Sequence, residues 1–381
     1  MWSLVVVVIV VAVAAVAYVG LRTAPTLIGW YDRALHNGRE RLAASYELPA
    51  YATRDVSAKW PGWDGWYALL IPRDRGLPVN AIRASIMTGL YGLDGIDNYA
   101  KLGALSAFHA VEYLTMVQTN DTSHLFQQYL PRGTDLAIRQ EQLLVAVKDW
   151  GQISGEWPHY RVEMRDPIGA VELSLTYTGK HLIWWADLPR LFTYVAVFGE
   201  VQGTLTIKGQ EYRLSGLGTF EHGFARKPFN FDALLKPLRL LQRLVRFTLI
   251  HYHYNILIGE DGSHGGLMLA QGLGSDFRNL GGIYLADERF KRLDQIEIVY
   301  VEMEKFASPD ADDPVACPKV WIVKTKAEEG TLEYRATRES PPALIAQNMV
   351  YIDFRFAASY REPGKPDRVF DGHGYGEYVG L

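Results

Sequence analysis

One strand motif occurs twice in this chain, and that repetition limits the fold more than any other feature. Gly216-x-Gly218-x-x-Glu221 closes the first half, and Gly372-x-Gly374-x-x-Glu377 closes the second. Each copy follows a basic residue near a hairpin, Arg213 and Arg368. The glycines are not a dinucleotide-binding fingerprint: Glu stands where a third Gly belongs, and no long apolar helix follows directly. Within a barrel strand, glycines mark bends and close backbone approach. The motif therefore implies a duplicated β unit, two β-barrels in tandem.

The stretches between the motifs agree. "WYALLIP", "AIRASIMTGLY", "FHAVEYLTMVQ", "QLLVAVKDW", "YRVEMRD", "AVELSLTYTG" and "LIWWAD" are short apolar or alternating runs separated by Gly, Pro, Asn and Asp. That is the pattern of antiparallel all-β structure. Lys208-Gly209 supplies a hairpin turn between "TYVAVFGEVQGTLTI" and "QEYRLSGLGTFEHGF". Strand runs resume at 247 and continue to the C-terminus. Between the halves, "FNFDALLKPLRLLQRLVRF" repeats Leu234, Leu238, Leu241 and Val245 at helical spacing. This predicts a linker helix over 229–247, packed on a barrel or resting on a membrane surface. The expected domains are an N-terminal barrel over 60–228 and a C-terminal barrel over 248–381. With 48% hydrophobic and 22% charged residues the chain is globular, and a net charge of −4 gives no reason to expect a nucleic-acid partner.

Trp2 to Val19 contains no charge over 18 residues, the length of a membrane-spanning helix. No Lys or Arg precedes it, whereas Arg22, Arg33, Arg39 and Arg41 follow. The expectation is an uncleaved anchor over 1–21, a tether over 22–59, and a globular part on the cytoplasmic side. Export after cleavage at Ala15-Val16-Ala17 is the alternative.

Several side chains are candidates for chemistry. Glu221 and His222 stand side by side at the end of the first motif. Neighbouring strand residues point to opposite faces, so both can enter one barrel only if a bulge rotates one of them. A Glu in an aromatic pocket suits a general acid, since desolvation favours its protonated form. Such an acid can protonate an alkene for capture by water, with His222 ordering that water or orienting the Glu. His251 and His253 fall on one strand face, as a polar pair in a pocket, as two metal ligands lacking an evident third, or as solvated or core-satisfied histidines. The reading adopted is no metal. Tyr375 and Glu377 share a face and form the second unit's counterpart of the first site. Trp66, Trp184 and Tyr194 are candidate pocket walls, whereas His109 and Glu112 are not chosen. Cys317, the single cysteine, excludes an internal disulfide and a cysteine-based metal cluster. Nucleophile elbows and phosphate loops are absent from the sequence.

The run "FTYVAVFGEVQGTLTIKGQEYRLSGLGTFEHGF", the closing "GHGYGEYVG" and the aromatic entry strand "GWDGWYALLI" resemble the lipocalin-like family of carotenoid 1,2-hydratases (hydroxyneurosporene synthases), AttH-type proteins, kievitone hydratase and fungal Diels–Alderases. The resemblance spans roughly 60–381 in layout. It departs from the family where Glu221 replaces the usual Asp, and where Gly223 follows His222 with no Trp behind it. It implies an all-β chain of two lipocalin-like antiparallel barrels, no metal or organic cofactor, and a pocket for a hydrophobic polyene, isoprenoid or polyketide. The function it implies is a hydratase or cyclase; the alternative is a membrane-tethered carrier of a lipid or isoprenoid.

Overall fold

The computed structural model describes residues 62–88, 110–131, 136–139, 143–166, 171–188, 192–226, 250–272, 275–287, 289–307, 314–327, 330–346 and 349–379. The expected anchor, the tether, His109 and the linker helix over 229–247 lie outside them. Among the described residues no helix is long and apolar enough to cross a membrane. They form twenty strands in two antiparallel sheets, and no helix.

The first sheet holds β1 (Gly62–Pro72), β2 (Val79–Thr88), β3 (Ala110–Thr119), β4 (Ser123–Pro131), β5 (Leu136–Arg139), β6 (Leu143–Val147), β7 (Gly151–Glu156), β8 (His159–Arg165), β9 (Val171–Leu188), β10 (Phe192–Ile207) and β11 (Gln210–Arg226). Its order, β4-β3-β2-β1-β11-β10-β9-β8-β7-β6-β5, is a meander whose first strand pairs with its last. The second sheet holds β12 (Ile250–Gly259), β13 (His264–Gly272), β14 (Ser275–Tyr284), β15 (Phe290–Phe306), β16 (Val315–Ala327), β17 (Gly330–Arg338), β18 (Ala343–Ala346), β19 (Met349–Arg361) and β20 (Arg368–Val379). It repeats the device: β12 pairs with β20, and β17 with β19, which closes the sheet on itself. The first sheet rolls without a β4–β5 ladder among the described residues. Its curl is held from inside by the Tyr113 hydroxyl, 2.9 Å from the carbonyl oxygens of Trp150 and Arg165 and accepting the Arg165 amide.

Burial separates strands that face water from strands that face the other sheet. β8 and β17 alternate buried and exposed residues, the signature of a sheet with one wet side. β2 and β3 are buried on both faces almost throughout, as are the first half of β19 and the second half of β20. Three apolar clusters result. One fills the first sheet (Trp66, Leu70, Ile82, Val145, Leu175) and one the second (Leu257, Trp321, Val323, Tyr334, Phe354). The third lies where the sheets meet, with Leu69, Leu114, Met116 and Phe198 against Tyr254, Ile256, Tyr351 and Tyr375.

The motif glycines face inward. A Cβ on Gly218 would run into the Leu69 carbonyl oxygen, and one on Gly374 into the Phe354 ring. The expected Lys208-Gly209 hairpin is present, with φ of 51° and 80° at the two turn residues. The collision at Gly218 is with backbone, which cannot step aside. Gly218→Ala should therefore lose roughly 2–4 kcal/mol of stability in urea unfolding. Gly209→Asn, at an open turn position that tolerates positive φ, should stay within about 1 kcal/mol of the parent.

Candidate functional site between the barrels

Alternation along the two closing strands decides where their polar residues go. On β11 the even positions, Gly216, Gly218, Phe220 and His222, turn into the first sheet; Thr219 and Glu221 turn out of it. The register from Gly216 to Arg226 against β1 is unbroken, so no bulge rotates Glu221 or His222. The two residues therefore do not form one site.

His222 lies inside the first sheet. Its Nε2 is 2.7 Å from Asp64 Oδ1, with both side chains fully buried, and its ring stacks on Trp66 at 4.9 Å. Glu221 lies in the layer between the sheets, where Thr219 Oγ1 (2.7 Å) and the Tyr254 hydroxyl (3.0 Å) donate to one of its oxygens. Tyr254 belongs to the other sheet. Glu377 obeys the same rule: it turns out of the second sheet and meets Arg83 of the first, Nη2 to Oε1 at 2.7 Å. The registers repeat as well, with Tyr67 opposite Glu221 and Tyr254 opposite Glu377. Each motif glutamate thus has a tyrosine beside it on its own sheet and a bonded partner from the facing one.

Three tyrosine rings surround the Arg83 guanidinium: Tyr351 at 4.9 Å, Tyr67 at 5.0 Å and Tyr375 at 5.5 Å. Burial works against its charge, but Glu377, Tyr351, Tyr375 and Glu221 outweigh that, so the group is held charged well above its ordinary range. Burial likewise pushes the Tyr67 and Tyr375 phenols well up, against the opposing pull of Arg83, so both stay protonated donors. Two further acids belong to the layer: Asp353, which accepts from the Ser340 amide and whose carboxyl burial pushes up, and Glu112. Glu112 accepts from Gln127 Nε2 and lies 3.5 Å from the Tyr129 hydroxyl. Glu112, Glu221, Asp353 and Glu377 are 3%, 1%, 1% and 7% exposed, so among the described residues the layer buries four carboxyl groups with one guanidinium.

The remaining candidates scatter. Trp66 lines the first interior beside His222, and Tyr375 lies with Glu377 in the layer between the sheets. His253 turns into the second sheet, its Nδ1 3.0 Å from the Tyr300 hydroxyl and its ring near Trp321 and Tyr378. Burial pushes the Tyr378 phenol up to about 12 there. The side chains of Trp184, Tyr194 and His251 fall outside the described residues. Cys317 is core: burial pushes its thiol up to about 11, away from reactivity. Among the described residues no group of three or more His, Cys, Asp or Glu side chains is placed to hold a metal.

Sequence reading missed Arg83, Tyr67, Tyr254 and Tyr351, and it passed over Glu112. Alternation in "AIRASIM" does put Arg83 outside the first barrel, but nothing local says that a second barrel covers that face. The duplicated motif was the available signal, because it places Glu221 and Glu377 at equivalent outward positions.

With this geometry in view, the molecule compares directly with known structures. Its fold is shared with the AttH-like protein NE1406 of Nitrosomonas europaea (TM-score 0.59, 13% identity, 88% of this chain and 96% of that one). It is also shared with kievitone hydratase of Nectria haematococca (TM-score 0.55, 11% identity, 87% and 92%). The resemblance drawn from the motifs holds at the level of the fold. A model of a family of unknown function, DUF6670, matches residues 99–256. No curated protein matches the sequence.

Removing Arg83 alone strands Glu377 in a buried layer. Arg83→Met should cost about 3–5 kcal/mol in urea unfolding, and adding Glu377→Met should recover most of it.

Proposed function

We propose that the protein is a hydratase or cyclase for a hydrophobic isoprenoid, polyene or polyketide, using acid catalysis in the layer between the barrels. The observation that carries this reading is the excess of acid there: among the described residues, four buried carboxyl groups against one guanidinium, set in apolar and tyrosine walls. Burying several like charges together is costly, and burial pushes the Asp353 carboxyl of this layer up. A neutral carboxylic acid in apolar surroundings can protonate a carbon–carbon double bond. The acid O–H bond breaks, a C–H bond forms from the π pair, and the cation is captured. In a hydratase, water supplies the new C–O bond and its surplus proton returns to the carboxylate. In a cyclase, a second double bond makes the capture, and a carbon gives up the proton.

Glu221 is the acid in this reading. It adjoins Tyr67 and is held by Tyr254 and Thr219, so its position is set from both barrels. His222, bound to Asp64 on the other side of β11, serves as a positioning residue. The fold shared with kievitone hydratase adds weight to hydration. The uncharged Trp2–Val19 segment fits delivery of substrate from a membrane, with the barrels on the cytoplasmic face.

Apolar extract from the source cells, incubated with the full-length protein, should yield a product heavier by one water (hydratase) or isomeric with its precursor (cyclase). Glu221→Gln keeps size and hydrogen bonding but has no carboxylic proton to give. Turnover should fall about a hundred- to ten-thousand-fold while the extracted ligand still co-purifies. A ligand that co-purifies and is never transformed by the parent protein would instead identify a carrier.

A further inference from the structure

In the layer between the barrels some buried polar atoms are paired and others are not; among the acceptors, Gln118 Oε1 and Asp353 Oδ2 have no hydrogen-bond partner among the described residues. Glu221 accepts from Thr219 and Tyr254 and Glu112 from Gln127, while Glu377 Oε1 forms an ion pair with Arg83 Nη2. Arg83 Nε and Nη1 have no hydrogen-bond partner among the described residues, although the side chain is only 4% exposed. The Tyr375 hydroxyl has none either, in a residue that is fully buried. Buried polar groups in native proteins are nearly always paired, so two such side chains with their rings and guanidinium 5.5 Å apart call for an explanation.

The two come from different barrels and reach the same place by register. Arg83 stands outward on β2. Tyr375 is two residues before Glu377 on β20, hence on the same outward face. Tyr351, directly opposite Glu377 on β19, and Tyr67 complete the aromatic enclosure of the guanidinium. What Arg83 Nε, Arg83 Nη1 and the Tyr375 hydroxyl lack is an acceptor among the described residues. A carboxylate ligand would bring a fifth acid to a layer whose described residues already hold four and a single arginine. A neutral carbonyl oxygen takes the same hydrogen bonds without that repulsion.

We propose that the ligand held between the barrels carries a carbonyl group, whose oxygen accepts hydrogen bonds from Arg83 and Tyr375. This rests on the reading that a ligand enters the inter-barrel layer, and it names the substrate class for that site: an unsaturated ketone or related carbonyl compound, not a plain hydrocarbon. Where the carbonyl is conjugated to the reacting double bond, the same donors serve the chemistry. Water adds to the β carbon and the π electrons move to the carbonyl oxygen, where Arg83 and Tyr375 stabilise the enolate. The α carbon then takes the proton of the carboxylic acid, and the surplus proton of the added water passes to the resulting carboxylate.

Three probes of equal length separate the cases: 2-heptadecanone, 1-heptadecene and heptadecanoic acid, titrated against the full-length protein in detergent by intrinsic fluorescence. The ketone should bind roughly tenfold more tightly than the alkene. Tyr375→Phe deletes only a hydroxyl that no described residue uses, so it should leave the melting temperature and alkene binding unchanged. It should weaken ketone binding roughly three- to tenfold. Equal affinity for ketone and alkene, tightest binding of the acid, binding of none of them, or a Tyr375→Phe effect equal on ketone and alkene would each overturn the proposal. Failure of the acid-catalysis reading looks different: the ketone preference persists, while Glu221→Gln leaves turnover untouched.

Discussion

The Arg83–Glu377 ion pair joins two sheets that share no backbone ladder among the described residues. Each sheet pairs its first strand with its last, and the contact between the two rests on side chains, some of them bonding to backbone carbonyls of the other barrel. A guanidinium and a carboxylate buried at that contact tolerate their burial only while each has the other. The apolar cluster around them supplies attraction without direction. The ion pair, together with the Tyr254–Glu221 hydrogen bond, supplies the register in which the two barrels meet.

Placement in this molecule is governed by strand parity. Glu221 and His222 are adjacent in the chain and occupy different compartments: one reaches the inter-barrel layer, the other the first interior against Asp64 and Trp66. The inward glycines explain why the motif persists on both closing strands. They let β11 approach the β1 backbone, and make room beside β20 for Phe354, so that the outward face can present its glutamate at a set height. Packing on one side of the strand thereby positions an ionisable group on the other.

Much of the architecture was legible in the sequence. The duplicated motif, the alternating runs and the Lys208-Gly209 turn are local signals, and local signals specify strands and their pairing. The site was legible only in part. Glu221, Tyr375 and Glu377 could be chosen because the repeat marks them, yet Arg83 and Tyr351 carry no mark. Each sits on a strand whose pattern is complete without it, and its burial depends on a surface contributed by distant chain. Glu112 was passed over for the same reason. An outward acid on an isolated barrel would be solvated; here it faces a second barrel. The juxtaposition of Glu221 and His222 misled in the opposite sense, since nearness in sequence is separation across a sheet.

Reciprocity between the motif glutamates has a further meaning. An acid from each half bonding to a partner on the other is the arrangement expected of an isologous two-fold interface, the contact two identical single-barrel subunits would make. Such a homodimer must place the same groups at both ends of its axis. Fusion into one chain removes that obligation, and here the ends differ: arginine bonds one glutamate, a phenol and a threonine hydroxyl the other. Covalent linkage has therefore given the interface a polarity that symmetry would have forbidden, and with it an orientation for whatever lies across it.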